Sequence, residues 1–156
     1  METVMIQNEY FYVTEVELIY QSKVKPSTRP RISTSKDAFD VLLQTWDKSI
    51  IELQEQFKVM LLNRNNKVLA IYESSTGGLT GTVADPKLVF AAALKAAALN
   101  IILAHNHPSG SIEPSNADKE LTSKIVCAGK FLDIKVLDHI ILTTDAYFSF
   151  ADDGLL

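Results

Sequence analysis

Two histidines and an aspartate in the second half of the chain are the side chains best suited to bind a metal ion. His105 and His107 are separated by one residue, and Asp118 follows after ten more. Neutral imidazoles and a carboxylate are ligands of zinc, which in catalytic sites takes three protein ligands and keeps a fourth position open for water. The spacing therefore predicts a zinc site that can activate water for hydrolysis.

The predicted elements around these residues bring them together. The apolar run IILA at residues 101–104 predicts a strand that is buried on both faces. Because side chains alternate along a strand, His105 and His107 should leave its end on the same face. A turn and a helix that begins near Asn116 would then return Asp118 to that face.

Each of these residues also has a structural interpretation. Ser115 stands three residues before Asp118, which is the spacing of a helix capping box, so this pair can be structural, chemical or both. Two histidines separated by one residue also occur in protein cores and on surfaces. All four residues together in a turn-rich loop favour the metal site, because functional groups concentrate in such loops.

The composition indicates a single globular domain. Of 156 residues, 47% are hydrophobic, which is enough for one core and too little for two. The net charge of −4 gives no general attraction to nucleic acid. The one cysteine, Cys127, excludes an intrachain disulfide, and its place in a helical apolar pattern predicts a buried, inert thiol. With no recognisable secretory signal or membrane span, we expect a cytoplasmic protein without a membrane partner.

The order of the predicted elements indicates an α/β fold of the mixed α+β type, with helices packed on a sheet. Residues 1–32 are predicted to form an N-terminal edge strand, from Tyr12 to Tyr20, and a basic arm that contains prolines. Residues 33–156 are predicted to form the metal-binding domain. Its elements are a helix that starts at Ser33, Thr34 or Ser35 and runs on to Glu55, strands at FKVMLLN and KVLAIYE, a helix from Asp85 to Leu99, the histidine strand, the helix near Asn116, and strands at IKVLDHIIL and YFSF.

The run HNHPSG followed by PSNAD resembles the RadC branch of the JAMM (MPN-type) metallopeptidase superfamily. The resemblance implies a mixed β-sheet flanked by helices, a three-layer sandwich similar to that of cytidine deaminases, with one zinc ion. It also implies that His105, His107 and Asp118 are the zinc ligands and that Ser115 is the serine of the family site. Asn106 replaces the small hydroxyl residue usual in the superfamily, so peptidase specificity is not carried over directly.

The resemblance also implies an upstream glutamate, which the sequence identifies least directly. Glu55 precedes an apolar strand as the glutamate of the superfamily does, and it shares the strand parity of Phe57. Glu52 and Glu73 are the alternatives.

The strand segment VLDHIIL, residues 136–142, is also part of the resemblance and contains Asp138 and His139. A histidine inside an apolar strand is first interpreted as a hydrogen-bonded core residue. A contact from either residue to a metal-binding imidazole is the second interpretation, because such imidazoles usually donate their other N–H group to a protein acceptor.

The predicted reaction is hydrolysis of a peptide or isopeptide bond in a protein or peptide substrate. Glu55 would take the proton of the attacking water, and Ser115 would donate a hydrogen bond to the developing oxyanion. A zinc deaminase is excluded because the paired cysteines of that signature are absent. The alternative is a non-enzymatic interaction module with a structural metal, since the family name implies a link with DNA repair and the arm from Lys23 to Arg31 could contact phosphate.

Overall fold

The computed structural model describes residues 5–8, 11–14, 16–77 and 84–156. None of the helices in these ranges combines the length and apolarity needed to cross a membrane. A short 3₁₀ helix covers Pro26–Thr28, and the α-helices and strands of the described residues are β1 (Met5–Asn8), β2 (Phe11–Thr14), α1 (Ser35–Thr45), β3 (Gln56–Leu62), β4 (Val68–Thr76), α2 (Pro86–Lys95), β5 (Asn100–Asn106), α3 (Asn116–Phe131), β6 (Lys135–Leu142) and β7 (Tyr147–Ser149).

A five-stranded mixed sheet forms the centre of the fold, with the strand order β4-β3-β5-β6-β7. β5 and β6 are parallel and are joined through α3, whereas the other neighbouring pairs are antiparallel. β1 and β2 pair with each other in a separate two-stranded sheet. The predicted mixed sheet is therefore confirmed, and β5 lies in its middle with every residue after Asn100 buried.

The two faces of the central sheet carry different helices. On one face, Phe57 of β3 and Leu103 of β5 share a core cluster with Phe90 of α2 and Ile125 of α3. On the other face, alternate residues of the same strands pack against α1 through Leu42. This α–β–α layering confirms the predicted three-layer sandwich, and the strand alternation places successive residues of β5 in opposite layers.

Side chains at the N-termini of the three helices fix where each helix begins. Thr34 caps α1 and Ser115 caps α3, and both form a capping box with the aspartate three residues later. Asp85 caps α2 by accepting a hydrogen bond from the backbone N–H of Lys87. These starts agree with the predicted ones, because an N-cap oxygen satisfies an N–H group that has no partner within the helix.

Two helices end earlier than predicted. α1 ends at Thr45 rather than at Glu55, because Trp46 adopts an extended backbone, and residues 47–54 form hydrogen-bonded turns. α2 ends at Lys95 rather than at Leu99, and Ala97 has a φ of 51° in the turn that leads into β5. Helix propensity favoured longer helices, but the chain has to reverse at both points to reach the next strand.

The predicted edge strand from Tyr12 to Tyr20 is wrong over residues 16–20, which lie in no strand, while Glu15 is outside the described residues. Val16 and Leu18 are 80% and 92% exposed. These residues have high strand propensity, but they do not pair with the edge of a sheet. The predicted burial of Cys127 is also wrong, because its side chain is exposed. The buried stripe of α3 contains Ile125, and a residue two positions further points about 200° away around the helix.

Candidate metal centre

The two histidines meet at the carboxyl end of β5. His105 is buried and is the second-last residue of β5, and His107 follows the last strand residue, Asn106. The Nε2 atoms of the two imidazoles are 3.0 Å apart, so both rings lie on the same face of the sheet. The backbone N–H of His107 donates to the carbonyl of Leu142, which fixes the residue beyond the end of β5.

The hydrogen bond made by Nδ1 of each imidazole, together with ring packing, sets the orientation of the two rings. Nδ1 of His107 lies 2.7 Å from the carbonyl oxygen of Ser111, so this nitrogen carries a proton and donates it. In the neutral imidazole, Nε2 of His107 then has a free lone pair and can serve as a ligand atom. The ring of His105 stacks in parallel on Phe57, with centroids 6.0 Å apart, and packs edge-on against His107.

The capping box of α3 orients the carboxylate of Asp118. Its Oδ2 accepts from both the backbone N–H and the hydroxyl of Ser115, each at 2.7 Å. Its Oδ1 is left facing Nε2 of His105 at 3.3 Å, while Oδ2 lies 4.0 Å from Nε2 of His107. Burial raises the pKa of Asp118, but the hydrogen bond and charge of His105 and the bonds from Ser115 lower it more, so it stays well below its usual range. The aspartate is therefore ionised.

The carboxylate of Glu55 completes the group of side chains. Glu55 lies immediately before β3, and the next residues of that strand pair with the end of β5, as Phe57 does with His105. One carboxylate oxygen of Glu55 and one nitrogen each of His105 and His107 lie within 4.8 Å of one another. These three residues could hold a metal ion.

The two alternative glutamates lie elsewhere. Glu73 accepts hydrogen bonds from Gln56 and Thr76 and lies 3.6 Å from the amine of Lys58, on the sheet face that packs against α1. Glu52 is exposed in the turn before β3 and is not among the residues that converge with the histidines. Of the three predicted candidates, the structure brings only Glu55 to the histidines within the described residues.

A buried chain of hydrogen bonds runs behind His105. Nδ1 of His105 lies 2.8 Å from Nε2 of His139, and Nδ1 of His139 lies 2.6 Å from the hydroxyl of Thr122. That hydroxyl donates to the backbone carbonyl of Asp118 at 2.6 Å. When Nε2 of His105 gives up its proton, as metal binding requires, one arrangement of the remaining protons satisfies the whole chain: each imidazole carries its proton on Nδ1.

Asp138, the other residue predicted to support the site, has different contacts. Its Oδ1 accepts from the backbone N–H groups of His139 and Ala151, and its Oδ2 accepts from the hydroxyl of Ser149. Burial raises the pKa of Asp138 although these hydrogen bonds oppose the rise. The carboxylate joins β6 to the end of β7. In the part of the chain that the structure describes, its hydrogen bonds go to backbone N–H groups and a hydroxyl, and none goes to a histidine ring.

Thr122 belongs to this hydrogen-bonded chain, and the sequence did not identify it. It occupies a position on the buried stripe of α3 where an apolar residue is expected, one turn after Asp118. A polar residue at such a position was the available signal, because buried hydroxyl groups almost always have a hydrogen-bond partner.

The neutral state of His139 predicts a pH dependence of stability. Complete burial, and then the charge of His105, hold the pKa of His139 well below its usual range. Unfolded histidine titrates near pH 6.5, so below that pH the unfolded chain binds a proton that folded His139 does not bind. The free energy of unfolding should therefore fall as the pH is lowered below about 6.5.

Replacing His139 by asparagine should remove this contribution. We expect the free energy of unfolding of the metal-free wild type to fall more steeply between pH 6.5 and 5 than that of His139→Asn, by up to about 1.4 kcal/mol per pH unit. Urea unfolding of both proteins in a chelator, at several pH values, measures the two slopes. Equal slopes would contradict the account of a buried neutral histidine.

The basic arm lies at the opposite end of the sheet from the histidines. The backbone of Arg31 forms an isolated antiparallel β-bridge with the backbone of Lys67, beside the β3–β4 turn. The amine of Lys67 donates to the carbonyl of Pro26. The guanidinium of Arg29 donates to Ser22 and Val24 within the arm itself. β3 has seven residues, which separates this end from Glu55 by about 20 Å. A phosphate contact of the arm therefore stays a prediction that is independent of the metal centre.

The separations of the donor atoms agree with those of a tetrahedral zinc site. Ligand atoms about 2.1 Å from a tetrahedral zinc ion are about 3.4 Å apart. The two Nε2 atoms are 3.0 Å apart, Oδ1 of Asp118 lies 3.3 Å from Nε2 of His105, and the other carboxylate oxygen, Oδ2, lies 4.0 Å from Nε2 of His107, so the separations are close to this value. Two imidazoles and an ionised carboxylate also form a donor set that zinc accepts.

Comparison with known proteins places the chain in a family. A family model described as RadC-like JAB domain matches residues 32–155. The chain belongs to the RadC family. A UPF0758 protein of Flavobacterium johnsoniae is 47% identical over 126 residues, covering 80% of this chain and 53% of that protein. For a UPF0758 protein of Chlorobaculum parvum, the identity is 44% over 105 residues, which cover 67% and 47% of the two chains.

A more extended match within the RadC family is a UPF0758 protein of Caldanaerobacter subterraneus, which is 38% identical over 143 residues, or 86% of this chain and 60% of that protein. The chain spans about half the length of the curated relatives it matches. The predicted resemblance to RadC is thus confirmed, and the match includes every residue of the metal centre.

Proposed function

We propose that this protein is a zinc-dependent hydrolase of peptide or isopeptide bonds, with His105, His107 and Asp118 as the metal ligands. The observation that carries the proposal is the convergence of two imidazole nitrogens and an ionised carboxylate at separations of 3.0 to 4.0 Å. A fourth polar group, the carboxylate of Glu55, lies within 4.8 Å of both histidine nitrogens. In this proposal Asp118 is the third ligand and the carboxylate of Glu55, beside the two histidines, is the proton acceptor.

The side chains divide the work of hydrolysis between them. Zinc, when bound, supplies a Lewis acid that activates water and polarises a carbonyl group. Glu55 accepts the proton of the attacking water on its carboxylate and transfers it to the nitrogen of the leaving amine. His139 and Thr122 hold the proton of His105 on Nδ1, which keeps its Nε2 directed at the centre.

Ser115 has two roles in this proposal. In the structure its hydroxyl donates to Asp118 and accepts from the backbone N–H of Asp118, so it caps α3 and orients the carboxylate. When a substrate carbonyl gains negative charge, the same hydroxyl is the donor that we propose for it, at the expense of its bond to Asp118.

Replacing Ser115 by alanine should therefore affect both stability and catalysis. We expect Ser115→Ala to lower the free energy of unfolding by about 1 kcal/mol through the lost cap, and to lower turnover about 100-fold through the lost donor. Denaturant unfolding and initial rates measure the two effects.

Thr34→Ala is the matched control, because Thr34 forms the same capping box in α1 on the other face of the sheet. It should cost similar stability and leave turnover unchanged. If Ser115→Ala loses only stability, Ser115 is a cap and not an oxyanion donor.

A cleavage assay tests the proposed function itself. Zinc-loaded protein is incubated with a broad peptide library and with lysine-linked isopeptides, and the products are read by mass spectrometry. Cleavage that depends on zinc and on Glu55 is the expected result. A zinc-loaded, folded protein that cleaves neither class of bond would overturn the assignment.

A further inference from the structure

Asn106, the residue between the two histidines, connects the histidine strand to the segment that carries Glu55. Its side chain is completely buried and lies on the sheet face opposite the histidine rings. Its Oδ1 accepts from the backbone N–H of Gln56 at 2.7 Å. Its Nδ2 donates to the carbonyls of Ile51 and Gln54, at 2.7 and 2.9 Å. Two of these three bonds hold the residues on either side of Glu55.

These bonds begin where the strand pairing ends. The last residue pair between β3 and β5 is Phe57 with His105. Beyond that pair the backbone N–H of Gln56 has the side chain of Asn106 as its partner, in place of the backbone of β5. The turns before β3 have their own hydrogen bonds, but they are joined to β5 through Asn106. The side chain thus extends the connection between the two strands past the end of their ladder.

The other anchor of Glu55 is on the opposite side. Its carbonyl accepts from the backbone N–H of Gly77, which follows β4. That bond joins the Glu55 backbone to β4 and does not set its distance from the histidines. Asn106 is therefore the side chain that links Glu55 to His105 and His107, because it shares a backbone with both histidines.

The amide is chemically specific for this position. It has to offer one acceptor and two donors at once, which asparagine can do and serine or aspartate cannot. A serine hydroxyl would provide one donor at most. An aspartate would place a carboxylate oxygen against two backbone carbonyls.

We infer that Asn106 is a positioning residue that fixes the carboxylate of Glu55 relative to the histidine nitrogens. The inference rests on the proposed function, in which Glu55 is the base. A displacement of about 1 Å of a reacting group can reduce a rate about 100-fold. The three buried hydrogen bonds of Asn106 oppose such a displacement of the segment that carries Glu55.

A double-mutant cycle with Glu55 tests this inference. Asn106→Ala should lower kcat about 100-fold with KM and zinc affinity within about threefold of the wild type, and Asn106→Ser should be intermediate. In a Glu55→Gln background the same Asn106 substitutions should lower kcat less than threefold, because the base that they displace is already absent. Equal losses in both backgrounds would overturn the inference.

Asn100→Ala is the matched control on the same strand. The Asn100 side chain donates to Asn66 at the other end of β5, so its loss should reduce stability without changing kcat. If Asn106→Ala does not fold, the cycle is run with Asn106→Ser, for which a kcat equal to that of the wild type contradicts the inference.

A measurement without substrate separates this inference from the proposed function. The visible spectrum of the cobalt-substituted protein reports the surroundings of the metal. Asn106→Ser should change this spectrum in the wild-type background and leave it unchanged in the Glu55→Ala background, in which no side chain at position 55 is left to displace. That result supports the inference even if no substrate is cleaved, whereas a wild-type spectrum in Asn106→Ser overturns it.

Discussion

Replacing Glu55 by glutamine is expected to lower turnover by about 10²- to 10⁴-fold, while zinc affinity stays within a few-fold of the wild type. General base catalysis by a positioned carboxylate contributes a factor of this size. Glutamine has almost the same shape but cannot accept the proton. The zinc affinity should be retained because His105, His107 and Asp118 are unchanged. Initial rates and competition with a zinc chelator measure the two quantities.

Two other glutamates provide the controls for this substitution. Glu73→Gln changes a carboxylate that contacts Gln56 and Lys58 on the α1 face, and Glu52→Gln changes an exposed one. Both proteins should retain turnover within about threefold, because neither carboxylate lies with the histidines in the described residues. If either control loses activity while Glu55→Gln retains it, the base has been assigned to the wrong residue.

Replacing His105 by alanine is expected to weaken zinc binding by about 100-fold or more and to abolish turnover. Structural zinc sites with four ligands bind with about 10–16 kcal/mol, or about 3 kcal/mol per ligand. His105 is also the ligand supported by His139 and Thr122, so its loss leaves that buried chain without its first donor. Calorimetric titration with zinc gives the affinity of wild type and variant.

His107→Ala is the companion variant, and it should lose zinc affinity to a similar extent. His107 is half-buried and bonds only a loop carbonyl through Nδ1, so its replacement should disturb the core less than that of His105. Wild-type zinc affinity in either variant would show that the metal is bound elsewhere.

The ligands could be predicted from the sequence because they are close together along the chain. Strand alternation places His105 and His107 on one face, and the Ser115 cap places Asp118 in the first turn of α3. Both arguments use local geometry only. The resemblance to RadC then supplied the layer order, which strand and helix patterns alone did not specify.

Features that depend on tertiary contacts were predicted less well. Glu55 was one of three candidates, and only the pairing of β3 with β5 shows which carboxylate reaches the histidines. The hydrogen bonds of Asn106 join residues about fifty positions apart, and no sequence pattern indicates them. The ends of α1 and α2 and the exposure of Cys127 were missed because apolar or alanine-rich composition does not record where the chain must turn.

Metal analysis of the purified protein tests the central claim most directly. Elemental analysis of the wild type, before and after removal of metal with a chelator and again after addition of zinc, should give about one zinc ion per chain in the first and last samples. His105→Ala prepared in parallel should contain none. A folded wild-type protein that is purified without metal and takes up no zinc would contradict the account.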